Sequence, residues 1–176
     1  TNHFYKLDKA IRELYAEFLD RKNLMEPIQA YYKNYAVIFL DKWFKYIEEY
    51  QSNQTGKLQE IIDNNPAKTA IVVGDGVSYE FAQDIIEKVS KEYTLSKEHQ
   101  YIFAGLPSET EHNMSQLYID SGTVVKDKQD REAYLLKQNK DKSIGFIDLE
   151  KVNETSDKEH YIICSYKDPD KLGETY

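Results

Sequence analysis

Several scarce residue types set the first limits on what this chain can be. It contains one cysteine, Cys164, so it cannot form an internal disulfide, and the apolar run around Cys164 predicts a small core residue. A single cysteine is typical of a reducing compartment, and we expect a cytoplasmic location. The sequence has no apolar run long and uncharged enough to span a membrane, and we recognise no signal peptide or lipidation motif in it.

Basic residues are also few, with 23 Lys and Arg against 31 Asp and Glu and a net charge of -8. Non-specific nucleic-acid binding needs clustered Lys and Arg, so we do not expect it to be strong here. A phosphate-containing substrate remains possible at a metal ion, because the metal supplies local positive charge. The chain starts at Thr1 without a methionine and stops at Tyr176 in a charged stretch, so we expect a piece of a longer protein.

The first part of the chain predicts helices. Residues 4–24 have apolar side chains at helical spacing, namely Leu7, Ile11, Leu14, Tyr15, Phe18 and Leu19. Pro27 predicts a break or a helix start, and the aromatic run at 28–50 predicts a long helix packed on both sides. A shorter helix is predicted at 56–64. We assign residues 1–66 to a helical region.

From residue 67 onward, predicted strands alternate with predicted helices. The strands are 70–73, 100–104, 143–149 and 160–166, and the helices are 79–90, 110–119, a short one around 131–137 and one starting near Asp170. This alternation predicts an α/β domain with a mostly parallel sheet flanked by helices. Ligands bind beyond the carboxyl ends of such strands, so the residues there are the candidates for function.

Asp75 lies at the first of these strand ends, between Gly74 and Gly76. An acid near a helix start has a structural explanation, because it interacts favourably with the helix dipole. Ser78 is the better placed N-cap, however, so capping does not require Asp75. A dinucleotide site would need a third glycine where Tyr79 stands, and an acid repels pyrophosphate. The pattern therefore favours a metal ligand.

Hydroxyls and acids follow two further predicted strands. Ser108 and Glu111 have the spacing of a capping box, which leaves Thr110 in the first turn of a helix. The hydroxyl of Thr110 is either an ordinary helix-start residue or a group placed in the positive field of the helix N-terminus. Asp168 and Asp170 flank a proline at another strand end, and this pattern also makes a good helix start.

Three segments together resemble the PglZ domain of the alkaline phosphatase superfamily. "VVGDGVSYEFAQDI" is similar to the family's apolar strand ending in D-G-x-R-Y-E, and "LPSETEHNMSQL" is similar to its P-S-x-T motif. "YIICSYKDPDKLGE" supplies the third element, an apolar strand leading to D-x-x-G-D or D-x-x-G-H. The resemblance extends from about Lys68 to Glu174, and we expect residues 67–176 to be the amino-terminal part of such a domain.

The resemblance implies a set of metal ligands. Asp75 corresponds to the first metal-ligand aspartate, and Thr110 to the nucleophile or metal-bound hydroxyl. Asp170 corresponds to an acid of the other metal site, and Glu174 stands where the family has Asp or His. Two divalent ions, with zinc expected, would clamp a phosphoryl group and lower the pKa of the nucleophile.

The resemblance also implies a function, namely hydrolysis of a phosphodiester or phosphomonoester in bacterial phage defence of the BREX type. Gly76 and Asn113 are the expected substrate-binding residues. The chain departs from the family at Ser78, where an arginine is frequent, and it lacks the later D-H-G motif and final histidine. We therefore expect an incomplete, inactive site in this chain. The alternative is an inactive PglZ-type module that binds proteins of a defence complex through its aromatic helices.

Overall fold

A computed structural model describes residues 4–18, 20–77, 79–94, 102–154 and 158–169 of the chain. In chain order its elements are α1 (Phe4–Glu17), α2 (Lys22–Tyr46), α3 (Lys57–Asn64), β1 (Thr69–Gly74), α4 (Tyr79–Val89), α5 (Thr110–Tyr118), α6 (Lys128–Gln138), β2 (Ile144–Asp148) and β3 (Tyr161–Tyr166). Short 3-10 turns at Ile47–Glu49 and Leu149–Glu154 follow α2 and β2.

The three strands form an open parallel sheet in the order β1-β3-β2, which confirms the predicted α/β class. Tyr161 of β3 pairs with Thr69 of β1 on one side and with Ile144 of β2 on the other. Cys164 in the central strand is 1% exposed, as its apolar surroundings predict. Because the strands are parallel, their carboxyl ends meet at one edge of the sheet.

One hydrophobic core joins this sheet to three helices. It is formed by Leu58 and Ile62 of α3, Ile71 of β1, Tyr118 and Ile119 at the end of α5, Leu135 of α6, and Tyr161 and Ile163 of β3. Leu135 is fully buried. Through this core α5 and α6 pack against the sheet, and the first residue of each helix lies near the carboxyl ends of β1 and β3.

The predicted strand at 100–104 is wrong in its described part, because residues 102–104 are irregular. Side chains from another segment occupy the backbone groups that a sheet would use. The N–H of Phe103 donates to Oδ1 of Asn53 at 2.7 Å, and the N–H of Gly105 donates to Oε1 of Gln54 at 3.0 Å. These tertiary hydrogen bonds replace a strand ladder.

Three predictions for the N-terminal helices are also wrong. The helix predicted at 4–24 ends at Glu17, and α2 begins at Lys22 and continues through Pro27. Pro27 is the sixth residue of α2, so the helix loses the hydrogen bond that a residue 27 N–H would donate to the carbonyl oxygen of Asn23, but it continues past this point. In α2 no described residue is buried, so it is not packed on both sides.

The chain divides into two compact units. The described residues within Thr1–Tyr50 and Ser78–Lys97 form the helical unit, and those within Gln51–Val77 and Glu98–Tyr176 form the sheet unit. The sheet unit thus includes α3, and the helical unit includes α4; the domain boundary between residues 66 and 67 stays a prediction. None of the helices in the described ranges combines the length and apolar character that crossing a membrane requires.

Candidate functional site

A cleft of about 260 Å³ lies within the sheet unit at the carboxyl ends of the strands. Asp75 follows β1, and Ser165 and Lys167 lie at and after the end of β3. Thr110, the first residue of α5, and Lys128, the first residue of α6, also line it. The structure therefore brings Asp75 and Thr110 to one cleft, at the edge where an open parallel sheet binds ligands.

The backbone around Asp75 is tightly constrained. Its N–H donates to the carbonyl oxygen of Tyr166 at 2.8 Å, which continues the pairing of β1 with β3 past the last strand residue. Gly76 follows with a φ of 69°, which favours glycine. A Cβ at Gly74 would lie 2.5 Å from Cγ2 of Val77. The half-buried carboxylate of Asp75 has no hydrogen-bond partner among the described residues.

The predicted capping box at Ser108 is wrong. The N-cap of α5 is Glu109, in an extended conformation with φ -92° and ψ 142°, and its side chain makes no capping hydrogen bond. Because the helix begins at Thr110, Ser108 lies one residue too early to cap it. The first intrahelical bond joins the N–H of Asn113 to the carbonyl oxygen of Glu109 at 2.9 Å. The side chain of Thr110 is exposed at this uncapped helix start.

A buried serine fixes the segment between α5 and α6. Oγ of Ser115 accepts the N–H of Val125 at 2.8 Å and donates to the carbonyl oxygen of Thr123 at 3.3 Å. The next residue, Lys126, forms an exposed ion pair with Glu111 at 3.0 Å. The hydrogen bond to Glu111 raises the pKa of Lys126. The charges of this pair compensate each other at the surface of the cleft.

The start of α6 brings one acid and one base to the cleft. Asp127 caps the helix, because its Oδ1 accepts the N–H of Gln129 at 2.7 Å. Lys128 Nζ donates to Oγ of Ser165 at 3.2 Å and lies 3.6 Å from Oδ1 of Asp148. The end of β3 therefore orients Lys128.

Arg131, one turn further along α6, is 7% exposed. Its Nη1 donates to the carbonyl oxygens of Val125, at 3.2 Å, and of Lys126, while its buried Nε has no partner. The guanidinium carbon lies 5.9 Å from the ring centroid of Tyr118. Burial, with a contribution from Glu132, raises the pKa of Tyr118 to about 12 although Arg131 opposes the shift. The phenol is therefore neutral at ordinary pH.

The cleft is more basic than the rest of the chain. Its lining has four basic side chains against three acidic ones, on a protein of net charge -8. Sequence reasoning missed all of the basic residues. Two signals could have found three of them: Lys128 and Arg131 share one helix face at a spacing of three residues, and Lys167 directly follows β3.

The other predicted site residues have different positions. Gly76 lies in the turn beside Asp75. Asn113 is in α5, where its Oδ1 accepts the N–H of Gly105 at 2.9 Å, so this side chain supports the 102–105 segment. Asp170 and Glu174 lie outside the described residues, as does the N-cap predicted at Ser78.

Comparison with known proteins identifies the family to which the chain belongs. Residues 55–173, about two thirds of the chain, match the model of the BREX system PglZ alkaline phosphatase-like domain. The chain belongs to the PglZ family. This confirms the resemblance seen in the motifs around Asp75 and Thr110. No curated protein and no solved structure matches the chain.

Alkaline phosphatase-like proteins generally use divalent metal ions, so the PglZ assignment raises the question of whether the residues fit one. Within the described ranges, no group of three or more His, Cys, Asp or Glu side chains could hold a metal ion. A catalytic zinc usually takes three protein ligands and a water molecule. Asp75 is the one predicted carboxylate ligand that the structure describes. The described residues alone therefore do not form a metal site.

Proposed function

We propose that this PglZ-family chain contributes the phosphoryl-binding part of a phosphoesterase that cleaves a phosphodiester or phosphomonoester in bacterial phage defence. The observation that carries the proposal is the common cleft of Asp75 and Thr110, two residues far apart in sequence. Family membership supports the reaction class, and the basic lining of the cleft supports an anionic substrate.

Thr110 is the proposed catalytic residue. Its exposed hydroxyl lies at the start of α5, where no side chain caps the helix. The partial positive charge of a helix N-terminus stabilises an oxygen that becomes negative and a phosphoryl group beside it. The Thr110 hydroxyl would attack phosphorus while its proton passes to the ester oxygen, which leaves as an alcohol, and water would then hydrolyse the phosphothreonine and restore the hydroxyl.

Asp75, Thr110, Asp170 and Glu174 are the residues we propose for a divalent metal, with zinc as the expected ion. Such an ion would neutralise phosphoryl charge and lower the pKa of the attacking oxygen. We expect zinc to bind this chain weakly, because one described carboxylate falls short of a usual ligand set. Calorimetric titration measures the zinc affinity of the chain, and tight stoichiometric binding would contradict the ligand assignment. Gly76 and Asn113 remain proposed substrate contacts.

The test is hydrolysis of a chromogenic phosphodiester by the protein at full length, with added zinc or manganese. We expect Thr110→Ala to lower turnover at least about a thousandfold, the scale of removing a reacting group. Its cost in stability should be at most about 1 kcal/mol, since the side chain is exposed. Ser108→Ala is the matched control, because Ser108 is exposed and outside the cleft. Wild-type turnover in Thr110→Ala would overturn the proposal.

The second candidate is an inactive PglZ-type module that binds proteins of a defence complex. It is favoured by α2, which exposes 61% of Tyr31, 56% of Ile38 and 65% of Phe44. Exposed apolar patches often mark interaction sites. Phage restriction separates the candidates. If the protein is an inactive module, Phe44→Ser should abolish phage restriction and Thr110→Ala should leave it unchanged. If the protein is an enzyme, Thr110→Ala should abolish phage restriction.

A further inference from the structure

Two lysines of the cleft have donors that the described contacts do not use. An ammonium group has three donors. Lys128 directs one to Ser165 at 3.2 Å, and its distances of 3.6 Å to Asp148 and 3.7 Å to Glu132 exceed a normal hydrogen bond. Lys167 is exposed and has no hydrogen-bond or ion-pair partner among the described residues. Both ammonium groups can therefore bind an additional acceptor.

Arg131 gives a second, independent indication of an anion. Its side chain is more than nine-tenths buried at the lining of the cleft, and Nε lacks an acceptor. A buried donor without a partner is costly, and in a native protein it calls for an explanation. An anion in the cleft would stabilise this guanidinium charge, whose partners within the described ranges are two backbone carbonyl oxygens and a tyrosine ring.

The acids of the cleft do not cancel these charges. Glu111 is paired with Lys126, and Asp127 is occupied by capping α6. Asp75 is the third carboxylate of the cleft, and it has no hydrogen-bond partner in the described ranges.

Glu132 and Asp148 lie outside the lining, 3.7 Å and 3.6 Å from Nζ of Lys128, and partly balance its charge. Lys128, Arg131 and Lys167, which we call the basic wall, are the positive charges of the lining that have no carboxylate within normal hydrogen-bond distance among the described residues.

We propose that the basic wall binds the non-bridging oxygens of a phosphoryl group directly, without a metal ion. Lys128 and Lys167 donate to these oxygens, since charge-assisted hydrogen bonds to phosphate are short and strong. Arg131 adds charge from its buried position behind them. This inference rests on the proposed function and deepens it. The three residues position the substrate beside Thr110, and they favour anionic esters over neutral ones.

The test is calorimetric titration of the protein with inorganic phosphate and, separately, phenyl phosphate, with EDTA present throughout. We expect one saturable site that weakens as sodium chloride is added. Lys128→Gln and Lys167→Gln should each lower affinity about tenfold, the effect of losing one charge-assisted hydrogen bond. Lys140→Gln is the matched control, because Lys140 is exposed in the same unit and outside the cleft. It should bind phosphate as the wild type does.

The two ligands distinguish the source of the phosphoryl group. Tighter binding of phenyl phosphate indicates an ester, tighter binding of inorganic phosphate indicates the free ion, and both results support the basic wall. No saturable binding in EDTA, or wild-type affinity in both lysine variants, would overturn it.

Thr110→Ala separates this inference from the proposed function. If the lysine variants lose phosphate binding while Thr110→Ala keeps its turnover, the basic wall is supported and the proposed function is overturned. If Thr110→Ala loses turnover while the lysine variants bind phosphate as the wild type does, the proposed function is supported and phosphate binding by the basic wall is overturned.

Discussion

α2 of the helical unit is 25 residues long and has no buried residue in the described structure, whereas the six-residue β3 of the sheet unit buries Tyr161, Ile163 and Cys164. Both segments are rich in apolar and aromatic residues, although α2 also has six charged side chains and β3 has none. They differ in what covers them, because a central strand has a neighbour on each side and helices across its face. A surface helix buries at most one face of its side chains against the rest of the protein. Apolar composition therefore does not by itself identify the part of a chain that forms a core.

This difference also separates the two candidate functions. In the sheet unit, the core fixes α5, α6 and β3, and their ends supply Thr110, Lys128 and Ser165 to one cleft. A rigid scaffold of this kind suits catalysis, which needs groups held in a defined geometry. In the helical unit, the exposed aromatic side chains of α2 suit association with a partner.

Removing a core leucine gives the largest expected difference between the units. Leu135→Ala should lower the free energy of unfolding by about 2–5 kcal/mol, because it leaves a cavity in a fully buried site. Leu40→Ala is the matched substitution in α2, where Leu40 is 45% exposed, and it should change stability by no more than about 0.5 kcal/mol. Urea unfolding followed by circular dichroism measures both. Equal losses would contradict the contrast in burial.

High pH should destabilise the protein through Tyr118. Burial raises its pKa to about 12, and the phenol of an unfolded chain titrates near 10. The neutral phenol therefore contributes its full stabilisation below about pH 10. As the pH rises toward 12, the free energy of unfolding falls by up to about 2.7 kcal/mol.

The measurement is the stability difference between wild type and Tyr118→Phe across that range. This difference should change with pH. For Tyr31→Phe, at a position 61% exposed in α2, it should stay constant. A constant difference for both variants would show that Tyr118 is not buried as described.

A buried amide pair should account for a smaller difference. Asn139 is 2% exposed, and its Nδ2 donates to Oε1 of Gln59 at 2.6 Å and to the carbonyl oxygen of Leu135 at 2.8 Å. Asn139→Ala removes both side-chain hydrogen bonds and leaves Oε1 of Gln59 without this donor, while the carbonyl oxygen of Leu135 keeps the backbone N–H of residue 139, so it should cost about 1–3 kcal/mol. Asn34→Ala, at an exposed position of α2, should be neutral or slightly stabilising, because alanine favours a helix. Thermal melts compare the two, and an equal cost would contradict the buried pair.

The smallest expected effect comes from an exposed ion pair of the sheet unit. Lys142 donates to Asp63 at 2.6 Å, and this hydrogen bond, helped by one from Gln59, lowers the pKa of Asp63. The stabilisation is present above the ordinary value of 3.8 and is lost as the pH falls through the lowered pKa. Lys142→Met should cost about 0.2–1 kcal/mol at neutral pH, since solvent screens the pair. Lys140→Met should cost nothing measurable, and a loss above about 2 kcal/mol for Lys142→Met would contradict the exposed pair.

The sheet could be predicted from the sequence because its strands are short apolar runs bounded by turn residues. β1, β2 and β3 agree with the runs at 70–73, 143–149 and 160–166 within about two residues. The rule that parallel strands gather their carboxyl ends at one edge placed Asp75 correctly, after β1. For Thr110 the predicted position is right but the reason is wrong, because the described residues before it, 102–109, contain no strand and α5 reaches the cleft by packing into the core. The motif resemblance then led to the family.

The rest depends on contacts distant in sequence. Residues 102–104 are apolar enough for a strand, but Asn53 and Gln54 bind the backbone around them. The length of α2 could be predicted, but its burial depends on neighbours that periodicity does not describe. Lys128 and Arg131 belong to a highly charged stretch of the sequence, residues 126–142, whose composition is that of a surface segment. The packing of Leu135 into the core places that helix at the cleft.

The central claim is that the sheet unit, and not the helical unit, binds a phosphate ester. A nuclear magnetic resonance titration of the isotope-labelled protein with phenyl phosphate tests this directly. We predict that backbone amide shifts will change at Gly76, Thr110, Lys128 and Lys167 and remain constant throughout α2. Changes concentrated in α2, or none at any of these four residues, would contradict the claim.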